Sequence, residues 1–180
     1  RFRATALREG GENASYSREF AFSKSTGRPA VLNTKPNDSY TFEGASLLVD
    51  GYHSRPVFTS GAWLGYLDEP LDVTIDMGGE QSYRSVELET LAEKGDWIFP
   101  PSSVTVWVSD NGTDFTEVAS VAVPEAKAGD ADGIGRYRMQ FPETSARYLK
   151  VVAQNAAAIP AWHPGAGSKG FLFVDEVVVE

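Results

Sequence analysis

Residues 103–121 read SVTVWVSDNGTDFTEVASV, and this stretch decides the fold class. Val104, Val106 and Val108 recur at every second position, which puts them on one face of an extended strand and Thr105 and Trp107 on the other. Asn111-Gly112 follows, a pair that accepts the positive φ of a chain reversal, and Phe115, Val118 and Val121 then run back. The segment is a β-hairpin. Working outward, LDVTIDMG (71–78) alternates in the same way, with Leu71, Val73, Ile75 and Met77 opposite Asp72, Thr74 and Asp76. Further strands are predicted at 17–23, 28–33, 83–91, 135–141, 147–154 and 171–179, punctuated by Gly and Pro at 78–79, 100–101 and 129–135. No helical repeat is sustained, and 45–50 and 154–159 are each predicted as a single helical turn. Short strands without helices predict an all-β fold, an antiparallel sandwich or barrel.

The 180-residue length suits one full domain with a core that needs no staples, and the chain has no cysteine. A net charge of −9 without a basic stripe argues against nucleic acid or an anionic membrane surface as partner. No apolar run reaches the length of a membrane span. RFRATALREGGENAS at the start has one short alternating strand and then a Gly-Gly, Asn-Ala-Ser stretch. Residues 1–16 are therefore expected to be the tail or linker of a preceding domain, a disordered leader being the alternative, with 17–180 the β-domain.

Three stretches, taken in order, resemble one family. They are SLLVDGYHSRPVFTSGAWLGY (46–66), VTVWVSDNGTDFTEVA (104–119), and ARYLKVVAQN (146–155) leading to the closing FVDEVVVE. Together they resemble the F5/8 type C (discoidin-like) domain, and within it the bacterial carbohydrate-binding modules of family 32. Finer features, LVDG, GDWIFPPSSV, PAWHPGAGSKGFLFVDE and FSKSTGRPAVL, are similar to the modules that end secreted β-hexosaminidases of glycoside hydrolase family 20. The resemblance implies a jelly-roll β-sandwich of about eight strands with one structural calcium and a sugar site on the loops at one pole. It further implies a covalently attached catalytic domain and a place outside the bacterial cell, in the periplasm or on its surface.

For the calcium, the resemblance implies Asp50, where an apolar segment stops before Gly51, and Glu176 in the last strand. Carbonyls near Val49 and His53 and a hydroxyl around Thr59 or Ser60 would complete a shell of six to eight oxygens. The 52–62 segment is longer than the family's usual spacing. Turn capping is the plain alternative for Asp50.

A sugar ring offers an apolar face and a fringe of hydroxyls, so its site needs an aromatic platform beside directional polar groups. Three loops carry such residues: 51–66 with Arg55 and Phe58, 93–101 with Trp97, and 160–170 with Trp162, His163 and Lys169. The jelly roll that the resemblance implies brings all three to one end. Trp63 is expected in the core and Trp107 on a sheet surface, while Trp97 is open between end plug and platform. Trp162 is expected to meet galactose- or N-acetylhexosamine-type glycans, with Arg55, His163 and Lys169 addressing hydroxyls. A monosaccharide has about a dozen heavy atoms, and about 0.3 kcal/mol from each gives a Kd near ~1 mM.

No nucleophile motif, zinc-helix motif or cysteine is present. Asp175 and Glu176 are adjacent on a predicted strand, so strict alternation sends them to opposite faces. The chain is read as a non-catalytic module of a glycoside hydrolase. A spacer that packs on its own catalytic domain is the competing reading.

Overall fold

The computed structural model describes the backbone of residues 2–6 and 14–18 and all of 20–180. Strands β1 (Phe2–Ala6) and β2 (Ala14–Arg18) pair antiparallel as a separate two-stranded sheet. This pairing takes Ser17 and Arg18 into the hairpin, across the boundary expected at 16/17. Most of the Gly-Gly linker lies outside the described residues. The strand expected over 17–23 ends at Arg18, and beyond it Phe20 makes a single bridge to Tyr52.

The remaining strands, β3 (Ala30–Leu32), β4 (Leu64–Tyr66), β5 (Leu71–Ala92), β6 (Ser103–Ser109), β7 (Thr116–Ala122), β8 (Gly133–Gln154) and β9 (Leu172–Val179), form one antiparallel seven-stranded sheet. Two of them are far longer than predicted. β5 and β8 run beside each other for 22 residues each, and their register breaks between Asp76 and Gln81 and again between Tyr83 and Ser85. Gly78, at φ 80°, sits in this break, and such irregularities bend a ladder sharply. The first half of β5 pairs with β3 and the end of β8, which continues through β6 to β7. The second half pairs with the start of β8 and with β9, which carries β4.

The two halves face each other across one core. Leu71, Val73 and Ile75 from the first half pack in one buried cluster with Val104 and Val106 of β6 and Val174 and Val177 of β9. This is the predicted all-β sandwich. The hairpin of 103–121 is present, with Gly112 at φ 76° in its loop, and Gly44–Val49 is a 3-10 turn as expected. The turn predicted over 154–159 is irregular chain instead. A second small cluster, Trp63, Leu91, Ile98 and Phe173, closes one end, and Trp63 is fully buried there as expected. No helix among the described residues is long and apolar enough to cross a membrane.

Candidate functional site

The loop 93–102 after β5 and the loop 155–171 before β9 meet at one end of the sandwich. The amide of Phe99 donates to the carbonyl of Phe171 at 2.9 Å, and the amide of Phe171 donates to Trp97 at 2.8 Å. This short crossing fixes Trp97, Phe99, Trp162 and His163 as one aromatic group. His163 is buried at 8% exposure, with Trp97 edge-on at 6.1 Å and Trp162 edge-on at 5.6 Å between ring centroids. Phe99 lies 5.5 Å from the imidazole and 6.3 Å from Trp162. The two indoles keep 42% (Trp97) and 39% (Trp162) of their surface in solvent.

Glycines make this packing possible. A Cβ on Gly165 would sit 2.8 Å from the Trp97 ring, and one on Gly170 would sit 2.8 Å from Phe99. Trp97 itself has φ 63°, one of two positive-φ positions outside glycine among the described residues. A bulky residue held there costs about 1–2 kcal/mol, which the surrounding loop must offset.

The polar partners expected for a sugar are differently placed. His163 Nε2–H donates to the Lys94 carbonyl at 2.9 Å, and its Nδ1 accepts the Gly165 amide at 3.0 Å. Both ring nitrogens are engaged, so His163 corrects from a hydroxyl-binding residue to the post that separates the indoles. Trp162 Nε1–H donates to Ala126 at 2.9 Å, which presents the ring as an apolar surface. Lys169 pairs with Asp68 at 2.6 Å. Lys94 is buried and ion-paired to Asp132. Arg55 is exposed and makes no ion pair among the described residues, its carbonyl accepting the Trp63 indole N–H at 3.0 Å. Phe58 packs on the end cluster instead, edge-on to Tyr40 at 6.3 Å and Phe173 at 5.9 Å. Thus the structure joins Trp97, Trp162 and His163, while Arg55, Phe58 and Lys169 make separate contacts. Beside Trp162 runs an apolar groove of about 390 Å³, lined by Phe99, Pro100, Pro124, Ala126, Ile159 and Pro160 among others.

The carboxylates expected around a cation gather elsewhere, where 50–54 lies over β9. Leu88 pairs with Val177 but Thr90 pairs with Val174, so β9 has one residue more than β5 across this interval. Asp175 and Glu176 together oppose Glu89 in this bulge, and both turn toward the same loop. Asp175 accepts the Ser54 amide at 2.7 Å, and Glu176 accepts the Gly51 amide at 3.1 Å. The expectation that they face opposite sides fails because a bulge resets the alternation. Burial, with the charge of Asp50 next, pushes Glu176 up to about 9. Burial chiefly, then Glu89 and Asp50, pushes Asp175 up to about 8.

This arrangement fits a hard cation in part. Glu176 Oε1 is buried with no hydrogen-bond partner, as an oxygen directed at an ion would be. The Asp50 and Glu176 carboxylates are neighbours around Gly51, which has φ 74°. No cluster of three or more His, Cys, Asp or Glu side chains suited to a metal occurs among the described residues, so backbone oxygens would have to fill most of the shell. The Val49 carbonyl already accepts the Gly27 amide at 2.7 Å. Ser60 is exposed, its hydroxyl accepting the Ala62 amide at 3.4 Å, and the hydroxyl beside the carboxylates is that of Ser54. The His53 ring Nδ1–H donates to the buried Glu89 at 2.7 Å. Sequence reading missed Glu89 and Ser54, because nothing in the period-two pattern marks a bulge.

The F5/8 type C domain model matches residues 32–169, and the chain belongs to that family. No curated protein matches the chain. Among solved structures, chitosan-binding module 1 from a chitosanase/glucanase of Paenibacillus sp. IK-5 is 18% identical with a TM-score of 0.55, over 89% of this chain and 99% of that one. CpGH89CBM32-5 from Clostridium perfringens, in complex with GalNAc-β-1,3-galactose, is 17% identical with a TM-score of 0.55, over 84% and 93%. A fucose-binding module of Streptococcus pneumoniae is 22% identical with a TM-score of 0.53, over 88% and 94%. At these identities the likeness concerns the fold.

Proposed function

We propose that the chain is a non-catalytic carbohydrate-binding module that takes galactose- or N-acetylhexosamine-type glycans at the Trp97–Trp162 end. The observation that carries this reading is the pair of half-exposed indoles held apart by buried His163 beside the 390 Å³ groove. Indole faces stack on the C–H face of a pyranose, and the groove beside Trp162 offers apolar walls to an acetamido methyl or a second ring. The structural neighbours named above, which bind chitosan, GalNAc-β-1,3-galactose and fucose, support a glycan as the ligand class. We place the module in a secreted glycoside hydrolase of the β-hexosaminidase kind, with a calcium held by Asp50, Glu176 and backbone carbonyls of the 49–54 loop. When bound, such an ion would rigidify that loop and neutralise buried carboxylates.

The spacer reading draws on one observation, that His163, Trp162 and Lys169 have their polar atoms engaged inside the chain. A titration separates the two. Galactose, N-acetylgalactosamine and N-acetylglucosamine, added to about 50 mM, are expected to shift tryptophan emission with Kd in the millimolar range. Trp97→Ala and Trp162→Ala should each weaken the response about tenfold. Silence in all three titrations, or responses that both variants leave intact, would overturn the glycan reading at this end.

A further inference from the structure

On a different face of the molecule, the outer surface of the β3–β5–β8–β6–β7 half carries a second aromatic depression, about 460 Å³ in volume. Adjacent strands build it in rows. Asp72, Val152 and Thr105 stand opposite one another, and Thr74, Lys150 and Trp107 form the next row. Val104, Val106 and Val108 enter the core, so Trp107 and Thr105 point outward. Phe115, from the β6–β7 loop, completes the floor, with the Lys150 ammonium resting 4.2 Å above its ring centre. Gln154 closes the end near Asp72.

The polar atoms here are available, in contrast to those at the Trp97–Trp162 end. Among the described residues, the Trp107 indole N–H and the Gln154 side-chain amide make no hydrogen bond, and Lys150 makes no ion pair. Asp72 accepts Asn33 Nδ2–H through Oδ1 at 2.8 Å, and among the described residues no hydrogen bond reaches its Oδ2. An ammonium held on a ring face keeps its N–H donors for a third party. The lining pairs one carboxylate with one ammonium, on diagonal positions roughly 7–8 Å apart, and has no net charge. That balance suits an uncharged polyol, with a diol donating to Asp72 and a ring oxygen or hydroxyl accepting from Lys150, Gln154 and the indole. The depression is shallow and open, lying on the outside of a sheet. An open trough admits the middle of an extended ribbon of sugars, whereas an enclosed cup takes only a chain end.

We infer that this face is a second binding site, for the interior of an uncharged β-linked oligosaccharide. It is independent of the loop site proposed above. The four tryptophans make the two sites separable by 1H–15N NMR, because each indole N–H gives its own resonance, assigned through Trp→Phe variants. The probes are β-1,4-linked hexamers of glucose and of N-acetylglucosamine, added to about 10 mM, with a galacturonate hexamer as the charged control. The expected result is movement of the Trp107 resonance with at least one neutral hexamer and none with galacturonate. Trp107→Ala should abolish binding at this face, and Gln154→Ala and Asp72→Asn should each weaken it about fivefold. Trp97→Ala should leave the Trp107 shift unchanged. The Gln154 residue is exposed, so its variant keeps the test valid if Trp107→Ala loosens the hairpin. The inference is overturned if the Trp107 resonance stays still while Trp97 or Trp162 moves, a result that leaves the loop site standing. It is equally overturned if no indole responds, or if only the charged hexamer moves Trp107.

Discussion

At Gly165 the absence of a side chain decides where an indole stands. A methyl group there would meet Cζ2, Cη2 and Cε2 of Trp97 at 2.8–3.1 Å, closer than carbon atoms tolerate. The φ of Gly165 is ordinary, so alanine strains contacts and not backbone. Gly165→Ala is therefore expected to displace the Trp97 ring, which at 42% exposure has solvent to move into. Sugar affinity at the loop end should fall about fivefold or more while Tm drops by about 2–4 °C, as measured by fluorescence titration beside a thermal melt. An affinity that stays at the wild-type value would mean the indole is not the platform. Gly167, at φ 82°, is kept by backbone conformation, and Gly170 by the approach of Phe99. The three glycines were visible in the sequence, but their separate reasons were not. For Gly165 and Gly170 the reason is a contact with a loop some 70 residues away, and for Gly167 it is a backbone angle that no pattern of residue types displays.

Strands show where period-two reading works and where it stops. The strands at 103–109 and 71–78 were legible because each keeps an alternating apolar inner face, Val104, Val106 and Val108 in one and Leu71, Val73, Ile75 and Met77 in the other. The returning strand of the hairpin was marked by the Asn111-Gly112 turn. The continuity of β5 through the corner was not legible, because glycines at 78 and 79 read as a turn when in fact they bend a strand. β8 was split in the same way at 142–146, where its apolar alternation lapses. In β9 the bulge opposite Glu89 likewise inverts the expected directions of Asp175 and Glu176. The corner of β5 has its own fastening. Asp76 accepts the Gly78 amide at 2.9 Å and Arg147 of β8 at 2.8 and 3.0 Å, and the Arg147 bond, first, then the Gly78 amide, lower its carboxyl to about 2 from 3.8. A depressed carboxyl adds stability that is complete above its unfolded value and is lost as pH falls through the folded one, here between about pH 4 and 2. The pair is partly exposed and screened, so Asp76→Asn should lower Tm by only roughly 1–2 °C at pH 7. That difference should vanish near pH 2. Melts at several pH values check this, and a difference that persists at pH 2 would assign the loss to packing at the corner.

Over the whole molecule, one buried acidic centre joins the segment after the first 3-10 turns to the last strand. Glu89 is compensated by Arg136 and His53, but Glu176 retains a buried oxygen without a partner. A cation bound between Asp50 and Glu176 would supply that partner and hold the 49–54 loop against β9. Ligands that bind only the folded chain stabilise it by mass action, about 2.7 kcal/mol at a hundredfold excess over Kd. For a domain of this length that corresponds to a Tm rise of about 5–10 °C. Calcium added to chelator-treated protein is expected to produce such a rise, and magnesium a much smaller one, because it demands a tighter octahedral shell. Glu176→Gln keeps the shape and the ability to accept the Gly51 amide while removing the charge. The variant should fold, melt close to the calcium-free wild type, and gain nothing from calcium. If wild type and variant gain equally, the ion sits elsewhere on this acidic chain; if neither gains, the orphaned Glu176 oxygen is satisfied by a proton, and the loop is held by hydrogen bonds alone.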